Sequence, residues 1–302
     1  MQFDINQNRS FFIAADTDSA IFTLEPLLIK KLGEDYKDKF SDEEVLSELK
    51  IFLKRYSDKL NNEFLNKLSK EKFNVTHHKF NWKTENILKT ALWTGKRRYA
   101  QYIVEKEGVK VDEIDMKGLE LGKSNMNPIF KKFGENFIKN ILFNTPKHEL
   151  DNSIIDFYNS LKQTDPRLLG KPTGVKQINS YRIPPTSGEI FSRFRLKAPS
   201  NTKAAVRYSD LLRFRKLDKK FETIIEGDKI LIINLKQNPY QIDTIGLPNS
   251  KVPDEIDKFV KEYIDVDKIF ESMLLNKLKE LYLDLRWDFP SLNPNIGKFF
   301  SF

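Results

Sequence analysis

The stretch FFIAADTDSAIFTL, Phe11 to Leu24, constrains the fold more than any other part of this sequence. Two apolar, strand-forming runs are separated only by Asp16-Thr17-Asp18-Ser19, so the chain has to double back there as a hairpin. Asp and Ser suit a surface turn because their side chains hydrogen-bond their own backbone, and that alone accounts for the pair. A second account is chemical. Two carboxylates drawn together beside buried strands call for a compensating cation, and hard carboxylate oxygens suit a divalent metal. The bare Asp-x-Asp does not separate the two accounts, so the rest of the chain has to.

Composition narrows the class. The 302 residues make one large domain or two, and 24 Phe and 10 Tyr are enough for a core. The absence of cysteine excludes disulfides and thiolate metal sites. Lys and Arg outnumber Asp and Glu by 51 to 43, and the resulting charge of +8 is consistent with a polyanionic partner. No apolar run approaches the ~20 residues a membrane helix needs. The opening MQFDINQNRS lacks the apolar middle of a secretion signal, so a soluble, non-secreted protein with no membrane partner is expected.

Periodicity then divides the chain. SDEEVLSELKIFLKRYSDKLNNEFLNKLSKEKF predicts a long helix: Ser41 and Glu44 form a capping box, and Val45, Leu46, Leu49, Phe52, Leu53 and Tyr56 share one face. From Asn74 to about Glu120 the pattern is of short strands, with Glu107-Gly108 as a hairpin turn. A helical region runs from Asn127 to about Gln163, and a Pro/Gly-rich irregular stretch follows it. Beyond lie a short helix near Lys203–Arg215, the strand KILIINLK, and a helix near 266–285. The order is α+β, then mainly helical, then α+β again.

WTGKRRYAQYI places Lys96, Arg97 and Arg98 ahead of Tyr99 on a predicted strand. Alternation puts Lys96 and Arg98 on one face and Arg97 with Tyr99 on the other, a disposition suited to phosphates and a groove. A basic triplet also serves to keep an exposed edge strand soluble. His77 and His78 are adjacent and point to opposite faces, which argues against a metal pair.

An Asp-Thr-Asp-Ser hairpin, a long helix, WTGKRRYA and then KGLE, in that order, resemble the C-terminal half of family B DNA polymerases. The similarity is greatest to the replicative enzymes of large tailed phages, whose motifs read Tyr-Gly-Asp-Thr-Asp-Ser and Trp-x-x-Lys-Lys-Arg-Tyr-Ala. The resemblance implies an α+β fold: a partial palm over residues 1–125, a mainly helical thumb with a small β element over 126–290, and a clamp-binding tail over 291–302. It implies a two-metal Mg²⁺ site with Asp18 as principal ligand, Asp16 as a weaker ligand or a neighbour of the primer terminus, and Glu85 as an accessory acid. It assigns primer-template DNA to Lys96, Arg97, Arg98, Tyr99, Lys117, Gly118 and Lys123, with Arg97 at the minor groove. It assigns a sliding clamp to Phe299, Phe300 and Phe302. The chain departs from the pattern at Ala14-Ala15, where Tyr-Gly is usual.

Such an enzyme also needs an earlier palm aspartate, a fingers lysine for the incoming dNTP and usually an exonuclease, all placed upstream of the hairpin. Only MQFDINQNRSFFIAA lies upstream here. IIDFYNSLKQ, around Asp156, faintly resembles the earlier motif, but it follows the primer-strand motif and reads as a helix face. The expectation is therefore a palm/thumb subunit of a split phage replicative polymerase, inactive without a partner chain carrying those parts, and acting in the cytoplasm of an infected bacterial host. The alternative is a non-catalytic DNA-binding and clamp-docking module derived from one.

Overall fold

The structure, a computed structural model, describes residues 11–16, 18–76, 78–119, 121, 126–195 and 197–292, with the Asp16 side chain excluded. It is a mixed α+β protein, 47% helix and 21% strand, with several small antiparallel sheets. Two compact units emerge. One comprises residues up to Ile87 with Glu105–Lys110; the other comprises Leu88–Val104 and the residues from Val111 on.

The N-terminal unit opens with β1 (Phe12–Asp16) and β2 (Ser19–Phe22), paired antiparallel with a bulge between Phe12 and Ala14. Helices α1 (Glu25–Leu32) and α2 (Tyr36–Lys39) follow, then α3 (Asp42–Lys59), a π-helical segment Leu60–Leu65 and α4 (Asn66–Phe73). The capping box at the start of α3 forms: the Ser41 amide donates to Glu44 Oε2 at 2.8 Å and the Glu44 amide to Ser41 Oγ at 3.3 Å. The backbone and hydroxyl donors of Ser41 hold the Glu44 carboxyl below its ordinary range. The helix is where periodicity puts it, yet none of its side chains is buried. Among the unit's described apolar side chains only Leu28, Tyr36 and Ile87 are buried.

A three-stranded sheet, β3 (Asn86–Gly95), β4 (Arg98–Lys106) and β5 (Val109–Lys117), has sequential order. Glu107 at φ 49° and Gly108 at φ 85° make the β4–β5 turn, the double left-handed geometry of a type I′ hairpin.

The C-terminal unit holds the core. In α5 (Pro128–Leu142) and α6 (Lys147–Leu161), Phe130, Phe137, Leu142, Ile154 and Leu161 are buried, and Phe133 stacks on Phe157 at 4.1 Å. Asp156 of α6 is exposed, in keeping with a helix face and not with a catalytic motif. The Pro/Gly-rich stretch resolves into short pieces: α7 (Pro166–Leu169), β6 (Lys171–Gly174), α8 (Ile178–Tyr181), β7 (Arg182–Ile183) and β8 (Arg193–Phe194). Then come α9 (Ser200–Phe214), β9 (Lys229–Asn234), β10 (Thr244–Pro248), α10 (Asp254–Tyr263) and α11 (Val266–Phe270). A second π segment, Glu271–Leu275, leads into α12 (Asn276–Asp284). The sheet has the order β10-β9-β6, with both pairings antiparallel. Helix α9 lies so close to β10 that a Cβ on Gly246 would stand 3.1 Å from the Ala204 and Ala205 backbone.

Candidate functional site

The β1–β2 hairpin turns where its sequence demands. Ala15 pairs with Ala20 and Asp16 with Ser19, and Phe12 meets Phe22 across the strands with rings edge-to-face at 5.9 Å. Asp18 is exposed in the turn. The Asp16 backbone ends β1, and its carboxylate lies outside the described residues. Neither Ala14 nor Ala15 has a positive φ, so the alanines in place of Tyr-Gly are ordinary strand residues.

Glu85 sits one residue ahead of β3, exposed, and its carbonyl accepts the Glu107 amide at 2.6 Å. That places it at a strand entrance and not within a strand. Among the described residues no three His, Asp or Glu side chains gather closely enough to hold a metal. Of the hairpin's two carboxylates only that of Asp18 is among the described side chains, and so small a donor set suits Mg²⁺ when substrate phosphates and waters complete the shell.

The basic triplet differs from its expected strand placement. Gly95 ends β3 and Arg98 begins β4, so Lys96 and Arg97 are the turn itself, both exposed. Arg97 adopts φ 59°, a left-handed conformation that costs a non-glycine residue ~1–2 kcal/mol. The glycine that could have taken that conformation stands two positions earlier and spends itself on strand. Strand alternation therefore does not govern these cations.

Gly118 explains what holds the tip. Its φ is 67°, and a Cβ there would stand 2.1 Å from the Arg97 carbonyl oxygen. Only a glycine permits this approach, and it brings Lys96, Arg97, Lys117 and Gly118 to one end of the sheet. Lys117 is exposed at the end of β5. Tyr99 faces Trp93 across the sheet, ring centres 6.1 Å apart. Lys123, Phe299, Phe300 and Phe302 lie outside the described residues.

Arg98 turns away from this cluster. Its guanidinium lies 3.9 Å from Glu280 and 4.0 Å from Asp284 of α12. With Thr94, Leu121, Ile138 and Leu281 it lines a cavity of about 10 Å³, room for a single water. Thr94 Oγ1 and Arg98 Nε are both buried without a partner among the described residues, and such a water would satisfy them.

Sequence reasoning missed Asp210. Only 2% exposed on the inner face of α9, it accepts Arg182 Nη2 at 2.8 Å, Arg213 Nη1 at 3.1 Å and the Ser192 amide at 2.8 Å. Arg182 Nε also donates to Ser192 Oγ at 2.8 Å, so one buried carboxylate ties β7 and the approach to β8 onto α9. The signal was available: an aspartate between Ser209 and Leu211, on the apolar side of a helix, requires buried donors.

Among the described residues no helix is long and apolar enough to cross a membrane. No family model matches the chain, and no curated protein matches it.

Proposed function

We propose that this chain is the palm-and-thumb subunit of a split replicative DNA polymerase of the family B type. The observation that carries the reading is the Arg97–Gly118 contact. Two motifs, singled out by sequence order alone, meet through a strained arginine and, 21 residues on, a glycine that no other residue could replace. Strained backbone that the surroundings enforce is a hallmark of functional sites.

In this reading Asp18, assisted by Asp16, would hold Mg²⁺, with Glu85 as an accessory acid. The bound ion would neutralise phosphate charge and favour the ionised primer hydroxyl. The primer 3′ oxygen bonds to the α-phosphorus of a dNTP, the bond to pyrophosphate breaks, and the hydroxyl proton passes to solvent. The chain's own contribution is positional. Lys96, Arg97 and Lys117, on a tip fixed by Gly118, grip the primer strand through its phosphates without reading sequence. The active enzyme would also need the fingers, the earlier palm aspartate and the exonuclease. The Phe299–Phe302 tail would dock on a sliding clamp.

A non-catalytic DNA-binding and clamp-docking module is the second reading. It rests on the exposed Lys96, Arg97 and Lys117 at the sheet end, which suit phosphates and need no metal. One experiment separates the two. Mixed with a polypeptide carrying the missing parts, the wild-type chain should extend a primer-template, and Asp18→Ala should abolish extension while leaving duplex binding intact. Normal extension by Asp18→Ala would refute the catalytic reading, and duplex binding without extension in any mixture would favour the module.

A further inference from the structure

Two features of the β3–β4 tip stand apart from the phosphate grip itself. The first is strain. Gly118 makes room for Arg97 at φ 59°, but room alone does not hold a backbone in place. A strained residue persists only where its surroundings over-determine it. The restraint therefore has to come from the residues that flank the turn, Gly95 at the end of β3 and Arg98 at the start of β4.

The second feature is the direction of Arg98. Its stem runs past Gly118, where a Cβ would stand 3.2 Å from Arg98 Cγ. Its guanidinium then reaches α12, with Glu280 at 3.9 Å and Asp284 at 4.0 Å. Lys277, Glu280, Leu281 and Asp284 have the i, i+3, i+4, i+7 spacing of one helix face, and all four line the small cavity they share with Arg98. The register of α12 thus turns this face toward the tip. Leu119, Leu121 and Leu281, all buried, form the apolar floor of the contact.

The two ion pairs are loose. Both stand beyond hydrogen-bond reach and the Arg98 side chain is 41% exposed, so they add little to stability. What they supply is a direction. Two carboxylates one turn apart repel each other, and an arginine beside both relieves that repulsion. Turned outward instead, Arg98 would add a third like charge to Lys96 and Arg97. Both effects favour Arg98 on α12. A guanidinium held there ties the first residue of β4 to the helix and fixes one end of the strained turn.

We infer that Glu280 and Asp284 are positioning residues for the primer grip: through Arg98 they anchor the Lys96–Arg97 turn to α12, and Arg98 itself touches no phosphate. The inference rests on the proposed reading in taking a primer strand as the partner. It departs from the resemblance, which assigns Arg98 to the DNA.

The test is a charge swap, read by fluorescence anisotropy of the full chain on a labelled primer-template duplex. Arg98→Glu sets like charges against α12 and should weaken binding about tenfold at 0.1 M salt. Adding Glu280→Arg rebuilds the pair in reverse and should return affinity to within about threefold of wild type. A control adds Glu271→Arg instead, at an exposed residue of the π segment ahead of α12. It restores the net charge but not the pair, and should stay within about twofold of Arg98→Glu alone. Arg98→Gln should keep the wild-type slope of log K against log salt, because a phosphate contact is worth about one unit and none is lost. No recovery with Glu280→Arg, equal recovery with Glu271→Arg, or a slope flatter by about one unit in Arg98→Gln would each overturn the anchoring and leave the nucleic-acid reading standing. Failure of the wild-type chain to bind duplex DNA at any salt would overturn both.

Discussion

In the C-terminal unit α5, α6, α9 and α12 enclose a continuous apolar cluster that includes Phe130, Ile154, Tyr208 and Leu278. In the N-terminal unit the eighteen-residue α3 buries none of its side chains. Among the described residues, twelve of the eighteen large exposed apolar side chains belong to the N-terminal unit, Phe64, Phe73 and Phe80 with them. Its cohesion leans on ion pairs such as Lys37–Glu25 at 2.6 Å and Lys110–Glu43 at 2.7 Å, which are exposed and worth little. One unit is thus held by packing. The other keeps the amphipathic patterning of a folded element, but the apolar face of its α3 is no more than half-buried among the described residues. A two-stranded hairpin such as β1–β2 is marginal by itself, and the unit that carries Asp16 and Asp18 is the less tightly packed of the two among the described residues.

The largest test of this contrast is truncation of one aromatic in each unit. Phe130→Ala should cost about 3–5 kcal/mol in urea unfolding, because a fully buried ring leaves a cavity. Phe64→Ala, at a ring 56% exposed, should change stability by less than about 0.5 kcal/mol. Comparable losses at the two positions would mean that the N-terminal face is covered after all.

A second test stays within the C-terminal unit and asks whether tight approach, and not glycine as such, matters there. Gly118→Ala and Gly227→Ala both place alanine at positive φ, 67° and 96°. At Gly227 nothing lies within 4 Å of the new methyl group; at Gly118 it meets the Arg97 carbonyl. Gly227→Ala should cost ~1 kcal/mol, and Gly118→Ala about 2–4 kcal/mol, because overpacking adds to the backbone term. Gly118→Ala should also weaken primer-template binding. Equal costs would mean that the tip moves freely.

The sequence made most of the elements readable and few of their surroundings. The capping box at Ser41, the Glu107-Gly108 turn and the buried face Ile154, Tyr158 and Leu161 were legible because each depends on neighbours within a few residues. Missed were α10 and β10, the latter set by its packing on α9 and its pairing with β9. The Lys96–Arg97 turn was misread because strand alternation was carried two residues ahead of Arg98, where β4 begins. Whether an apolar helix face is covered cannot be read from periodicity at all, as α3 demonstrates. At the candidate site, the order of motifs marked Asp18 and Arg97, but the contact that makes Gly118 irreplaceable appears only in three dimensions.

The smallest expected effect is at alkaline pH, where the contrast should appear in titration. Burial first, then a hydrogen bond to Asp267 at 2.6 Å, pushes the Tyr158 hydroxyl up to about 12. Burial likewise pushes Tyr208 to about 12, and burial with the Asp151 hydrogen bond raises Tyr282 further. All three belong to the C-terminal unit. In the N-terminal unit Tyr36 is also raised by burial, opposed by the charge of Lys37. For each group the folded state favours the neutral phenol, whose unfolded value is ~10. For Tyr158 and Tyr208 the contribution to stability is therefore complete below pH ~10 and is lost as pH rises through about 12. Phenolate absorbance should rise in two phases. The late phase should coincide with loss of the C-terminal unit's helical signal. Tyr158→Phe should shrink that late phase by one tyrosine and shift it to higher pH, since a phenylalanine has no proton to lose. A single phase near pH 10 with helicity intact would show that these hydroxyls are open to solvent and the core looser than its packing implies.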